Sequence, residues 1–339
     1  MFRGILNIHL IASTCTRRCS SYVKHTRYLF DLKENDEACR QALKSGSFYL
    51  FHNLLPLVRK SDAHFSAPVI SAQELQQTLR RHGQDEQKIE DSVLLSCSQS
   101  SNAEFALDLG WMEKGSLEKD YDGTFTNLAK TLVLLDGRNG PVLAQAQALL
   151  RWHETHQFCG KTGQPTEKNL SGSKRVCSTN GMVYYPQMCP VVITLVSYKN
   201  HCLLARQESF PAGMYTALSG FCDIGETLEE TVRREVAEEV GLQVESVRYF
   251  GSQHWPFPSS SLMVGCHATV QHNKINVNRS ELEDARWLSL EETEEALQRN
   301  ILLKPENGIV PVWLPPTWTI AHTLIHAWTQ KQKAHSNGE

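Results

Sequence analysis

The sequence predicts an α/β protein with more than one domain, and three observations carry that prediction. The chain has 339 residues, 41% of them hydrophobic and 21% charged, which is enough for two cores of ordinary soluble composition. From residue 188 onward, β-branched runs of strand length alternate with segments of helical spacing. Before residue 150 the apolar runs are short, separated by polar turns, and carry no catalytic motif. That pattern predicts an accessory α+β domain over 31–150.

The first 30 residues hold Arg3, Arg17, Arg18, Lys24 and Arg27 and no acid. The rest of the chain carries a net −8. A basic, acid-free, Ser/Thr-containing start predicts a mitochondrial transit peptide over 1–30 and a matrix location, with a cytosolic protein as the alternative. No run of 18 apolar residues is present, so no membrane span is expected. Ten scattered cysteines suit a reducing compartment. No Lys/Arg cluster follows the first 30 residues, so a dedicated nucleic-acid surface is not expected.

Ala146, Leu149 and Leu150 stand at helical spacing within 144–156. The next segment, 151–187, resembles a zinc ribbon, whose tetrahedral shell needs two C-x-x-C knuckles. Here the knuckles read Cys159-Gly-Lys-Thr162 and Cys177-Ser-Thr-Asn180. Each lacks its second cysteine, so Cys159 and Cys177 read as remnants and no zinc is expected. PVVITLVS (190–197) and CLLARQ (202–207) predict strands, as do VESVRYFGSQ and LMVGCHATV. Helices are expected near 290–299 and 319–331, with 331–339 a short tail.

Between these strands lies GFCDIGETLEETVRREVAEEVG, residues 220–241. Thr227 and Glu230 form a capping box, so a helix starts at about 227. Gly241 ends it as a C-cap. Glu229–Arg233 and Glu230–Arg234 have the spacing of favourable i,i+4 pairs. At 100° per residue, Leu228, Val232, Val236 and Val240 form one apolar stripe. Glu235 and Glu239 fall on the edge of that stripe and Glu238 lies further round. Carboxylates so placed are partly buried and need a counter-charge. Oxygen-preferring divalent cations, Mg²⁺ or Mn²⁺, are the natural partners.

Gly220, Glu226, Arg234, Glu235, Glu238, Glu239 and Gly241 reproduce the Nudix box, and the chain resembles the Nudix hydrolases. The resemblance implies an α/β/α sandwich with a mixed sheet over 188–330, and hydrolysis of nucleoside diphosphates linked to another group. It implies metal ligation by Glu235, Glu239 and Glu238, with Glu239, and Glu238 beside it, in catalysis. It also implies that Glu226 orients Arg234.

SQHWPFPSS (252–260) joins aromatics, prolines and hydroxyls in one stretch. On composition it suits either a pocket for a planar base or a turn packed on the core. It is similar to the SQPWPFPxS signature of the NADH pyrophosphatase branch, departing at His254. That resemblance implies substrate contacts at Gln253, His254, Trp255, Pro256, Phe257, Pro258, Ser259 and Ser260. It further implies a metal ligand at Glu281 and at the Ser219 carbonyl, a nicotinamide sandwich between Tyr185 and Phe221, and a contact at Ala321. Core packing is the other reading of Tyr185 and Phe221, and a solvated acid that of Glu281. The implied reaction splits NADH or NADPH into reduced NMN and AMP or 2′,5′-ADP in a homodimer. Removal of NAD caps from RNA and non-catalytic nucleotide sensing are the alternatives.

Overall fold

The computed structural model describes residues 19–336, apart from 62–63, 99–101, 133–134, 136–138 and 300–309. The chain divides into two compact units, Met1–Pro186 and Gln187–Glu339.

The first unit centres on a mixed sheet in which the strand Ser47–His52 pairs parallel with Ala103–Asp108 and antiparallel with Leu55–Ser61. Phe48, Leu50, Phe105 and Leu107 fill its core with Leu75 and Leu79 of the helix Ala72–Arg81. Residues 1–18 of the expected transit peptide lie outside the described residues. Residues 19–30 belong to the helix Cys19–Glu34, which runs across the expected boundary at 30. Tyr28 and Leu29 pack on the same core as buried Leu32. The helix Asn139–Thr155 likewise crosses the boundary expected at 150. A three-stranded antiparallel sheet follows, made by Thr166–Lys168, Arg175–Cys177 and Val183–Tyr184.

The second unit has the expected sandwich of helix, mixed sheet and helices. Its strands lie in the order Val244–Trp255, Ser261–Val270, Cys189–Tyr198, His201–Arg206 and Asp284–Ser289. Cys189–Tyr198 and Ser261–Val270 run parallel, and their neighbours are antiparallel. Side chains alternate across a strand. Val192, Val196, Leu203 and Ala205 therefore meet the valines of the helix Leu228–Val240 on one face. Ile193, Leu195, Cys202 and Leu204 meet Leu324, Ile325 and Trp328 of the helix Ile320–Ser336 on the other. That last helix takes in 331–336 of the residues expected as a tail, and 337–339 lie outside the described residues. Gln330-Lys-Gln-Lys-Ala334 is a run of good helix formers and extends it.

Candidate active site

The short strand Leu218–Phe221 pairs with Val191–Thr194, and the chain then turns into the helix Leu228–Val240. The turn begins the helix as the sequence predicts. The Thr227 side chain accepts from the Glu230 N–H, and the Glu230 carboxylate accepts from the Thr227 N–H. Gly241 closes the helix in the left-handed region at φ 67°. Two carbonyls of the last turn would otherwise be orphaned. They accept from Asn276 and Asn278, at 2.9 Å each, so the loop after Val270 hangs on the helix end. Glu281 sits in that loop, exposed, with its carboxylate accepting from the Asn278 amide at 3.1 Å.

Val232, Val236 and Val240 are buried, and the helix carries its carboxylates beside them. Leu228, the first residue of the helix, is exposed. Glu239 is only 3% exposed, the Glu235 side chain 13%, and the Glu238 side chain 54%. This is the order the helical angles predict. Burial raises the Glu239 pKa to about 8, and the charges of Glu235, Glu281 and Glu238 push the same way. Its Oε2 atom is buried without a hydrogen-bond partner. Burial also raises Glu235, against the lowering effect of Arg234.

Arg234 organises the cluster. It holds Glu226 with two hydrogen bonds, Nε to Oε1 at 2.6 Å and Nη2 to Oε2 at 2.9 Å. It also donates to Glu235 at 2.8 Å, to Glu238 at 3.0 Å and to the Phe221 carbonyl at 2.8 Å. Arg234 pulls the Glu226 carboxyl down to about 2. The expected i,i+4 pairs are therefore replaced. Glu230 is taken by the cap, Arg234 reaches Glu226, and Arg233 donates to the Val244 carbonyl. Gly220 makes the arrangement possible. A Cβ there would lie 1.9 Å from the Glu235 carboxyl carbon.

Glu239 and Ser219 line one small pocket with Arg206, Phe210, Leu218 and Leu282. Among the described residues, no three His, Cys, Asp or Glu side chains gather closely enough to hold an ion as they stand. The reason is visible, since Glu235 and Glu238 are turned onto Arg234. The residues nevertheless fit a divalent cation. A buried carboxylate with a free oxygen and further carboxylates around it is a costly group without one.

The stretch 252–260 is less of a loop than expected. Ser252–Trp255 ends a strand paired with Ser261–Val264, and only 256–260 form the turn. The Gln253 carboxamide is engaged at both ends. It donates to the Trp318 carbonyl at 2.9 Å and accepts from the Ile320 N–H at 2.8 Å, seating the last helix. The His254 ring lies 3.0 Å from the Ser260 hydroxyl, half-buried, and burial lowers its pKa. Trp255 stacks on Trp318 and meets Phe257 edge-on. Pro256 and Ser260 are buried, while Pro258 and Ser259 are exposed. Phe221 presents an exposed ring beside the box. Tyr185 is exposed on the first unit. Ala321 is buried among Ile193, Leu195 and Leu324, so its side chain serves the core.

Comparison with known proteins agrees with this geometry. The NUDIX domain model matches residues 188–306, a NADH pyrophosphatase zinc ribbon model 154–185, and a NADH pyrophosphatase-like rudimentary NUDIX domain model 45–152. The chain is 54% identical over 334 residues to human "NAD(P)H pyrophosphatase NUDT13, mitochondrial", covering 95% of each chain. The chain belongs to the Nudix hydrolases. The mouse protein of the same name is 53% identical, with 95% of each chain covered. Human "NAD-capped RNA hydrolase NUDT12" is 42% identical over 207 residues, covering 58% of this chain and 43% of that one.

Nudix hydrolases work with divalent cations, which suits the acidic cluster. The zinc ribbon description bears against the expectation of no zinc, although only two thiols stand at the four ligand positions of this hydrolase. Sequence reasoning missed Asn276, Asn278, Arg206 and Trp318. Trp318 had a visible signal in WLPPTW (313–318), whose aromatics and prolines resemble those of 255–258. Asn276 and Asn278 had none, because their partners are fixed only by the fold.

Proposed function

We infer that this Nudix hydrolase is a metal-dependent NAD(P)H pyrophosphatase, yielding reduced NMN and AMP, or 2′,5′-ADP from NADPH. The observation that carries the chemistry is the Glu239 carboxylate, buried, with Oε2 unpartnered, in a pocket shared with Ser219. The substrate follows from the likeness to the relative named for NAD(P)H, which spans both chains almost whole.

Glu235, Glu239, Glu238 and Glu281, with the Ser219 carbonyl, would hold the cations, Mg²⁺ or Mn²⁺, and no zinc enters the reaction. Held there, such cations would neutralise the pyrophosphate and lower the pKa of a ligated water. Glu239 accepts the proton of the attacking water, with Glu238 beside it. The new P–O bond forms as the bridging P–O bond breaks, and the two mononucleotides separate. Arg234, locked by Glu226, keeps Glu235 and the strand carrying Ser219 and Phe221 in place. Phe221 offers an aromatic face for the nicotinamide. Trp255, Phe257 and the Ser259 hydroxyl frame the dinucleotide, Ser260 holds the turn through His254, and Gln253 acts by seating the last helix. We also propose a homodimer in the mitochondrial matrix.

His254 is spent on Ser260 and serves the turn, so His254→Pro should leave the NADH/NADPH preference within about twofold. A larger change would mean that the imidazole reads the substrate. The function is tested by a panel of NADH, NADPH, NAD⁺, ADP-ribose and NAD-capped RNA with Mg²⁺ or Mn²⁺ and product identification. NADH yielding no AMP would sink the reading. Faster cleavage of capped RNA than of NADH would favour decapping.

A further inference from the structure

The ribbon segment keeps the backbone of a metal knuckle without its ligands. Gly163 N–H donates to the Cys159 carbonyl at 2.8 Å, and Gly181 N–H to the Cys177 carbonyl at 2.9 Å. Both glycines lie in the left-handed region, at φ 68° and 69°. The two turns are thus alike, and both cysteines are buried. At the third position beyond each cysteine, where a second thiolate would stand, are Thr162 and Asn180. Their side chains reach across. The Thr162 hydroxyl is 3.7 Å from the Cys177 sulfur, and the Asn180 amide donates to the Cys159 sulfur at 3.8 Å. Two neighbours complete the shell, with the Tyr184 hydroxyl 3.0 Å from Cys159 and the Thr179 hydroxyl 3.2 Å from Cys177.

Zinc needs four good donors, typically thiolate, imidazole or carboxylate. Two thiols with a hydroxyl and an amide do not make that set. Both sulfurs already have hydroxyl partners, and Cys159 also accepts from the Asn180 amide. Side-chain hydroxyls hold both thiols below their ordinary range, Thr162, which stands near both sulfurs, being the main cause at Cys159 and Thr179 at Cys177.

We propose that this ribbon folds without metal and is closed instead by a crossed pair of hydrogen bonds, Thr162 to Cys177 and Asn180 to Cys159. The proposal rests on the zinc-free reading above and adds what stands in the cation's place. It makes the segment a latent zinc site, two substitutions from a complete one.

The test uses the full chain purified without chelators from zinc-supplemented cells. Metal content is read by plasma mass spectrometry and stability by thermal unfolding. Wild type should carry under about 0.1 zinc per chain, and Thr162→Cys/Asn180→Cys about one. Thr162→Val/Asn180→Leu should lower the Tm by about 3–6 °C without changing metal content. Wild type retaining about one zinc per chain would overturn the metal-free reading itself. A zinc-free wild type whose Tm is unmoved by Thr162→Val/Asn180→Leu would overturn the crossed pair alone. These two measurements decide the matter even where the double-cysteine variant does not fold.

Discussion

Gly220→Ala adds one methyl group to the strand under the box helix, and the structure says what that methyl meets. It would lie 1.9 Å from the Glu235 carboxyl carbon and 2.0 and 2.1 Å from its two oxygens. Real Cβ contacts stay above 3.0 Å, so one partner must move by about 1 Å or more. The strand cannot be the one to give. Gly220 pairs with Val192, a buried residue of the sheet packed in one core with the valines of the box helix. Glu235 must therefore retreat, straining its 2.8 Å hydrogen bond to Arg234 and carrying that carboxylate off its seat. A shift of this size at a catalytic group costs about 10²-fold in rate, or about 2.7 kcal/mol of transition-state stabilisation. The assay is NADH turnover against Mg²⁺ concentration, with the Tm recorded beside it. The expected result is kcat down about 10²-fold, a higher Mg²⁺ requirement and a Tm within a few degrees of wild type. In a Glu235→Ala background the same methyl should change kcat by less than about threefold, since its target is gone. Wild-type turnover in Gly220→Ala, or an undiminished effect in the Glu235→Ala background, would refute the reasoning.

Glu239→Gln should lower kcat by about 10²- to 10⁴-fold. Without metal, the Glu239 pKa of about 8 lies above its unfolded value of 4.5. Folded protein thus binds the extra proton, and stability is lost as pH rises from about 4.5 to 8, by up to about 5 kcal/mol. Unfolding in EDTA at pH 5 and pH 8 should show that loss in wild type and a much smaller one in Glu239→Gln; parallel behaviour would count against a buried charge. Arg234→Lys keeps the charge but cannot bridge Glu226, Glu235, Glu238 and the Phe221 carbonyl together. It should lower kcat by at least about tenfold, and adding Glu226→Gln should cost little more; fully additive losses would deny that the two act as a unit. Gln253→Leu removes two hydrogen bonds that seat the last helix and should cost about 1–3 kcal/mol. Its KM for NADH should stay within about twofold, and a large rise in KM with an unchanged Tm would return Gln253 to the substrate.

What the sequence made legible was local. The capping box, the left-handed Gly241 and the burial order of Glu239, Glu235 and Glu238 all follow from spacings within 13 helical residues. The errors came where a local rule met a distant competitor. Arg234 had a partner four residues away in Glu230, but Glu230 was committed to the cap and Glu226 lay across the turn. His254 and Trp255 fell beyond the strand expected to end at Gln253, because prolines follow at 256 and 258, yet pairing with Leu262 and Ser261 fixed them as sheet. The basic N-terminus illustrates a different limit. Acid-free composition distinguishes a targeting segment from an acidic body. It does not say that Tyr28 and Leu29 will find a core to pack on.

The second unit places its chemistry at the margin between two demands. The same stripe that buries Val232, Val236 and Val240 draws Glu239 out of water, and folding alone gains nothing from that. A sequence selected for stability would put an apolar residue at 239 and free Gly220 to be any strand former. Keeping the carboxylate, and the glycine that lets Glu235 approach, is sensible only where something positive arrives later. In the metal-free protein a proton on Glu239 relieves its repulsion with Glu235, Glu281 and Glu238 below about pH 8, and above that pH only a cation can do so. Arg234 provides the interim arrangement, holding Glu235 and Glu238 while leaving the Glu239 oxygen unclaimed. Above about pH 8, cation binding should therefore raise the Tm of wild type more than that of Glu239→Gln, because only wild type then carries the buried Glu239 charge.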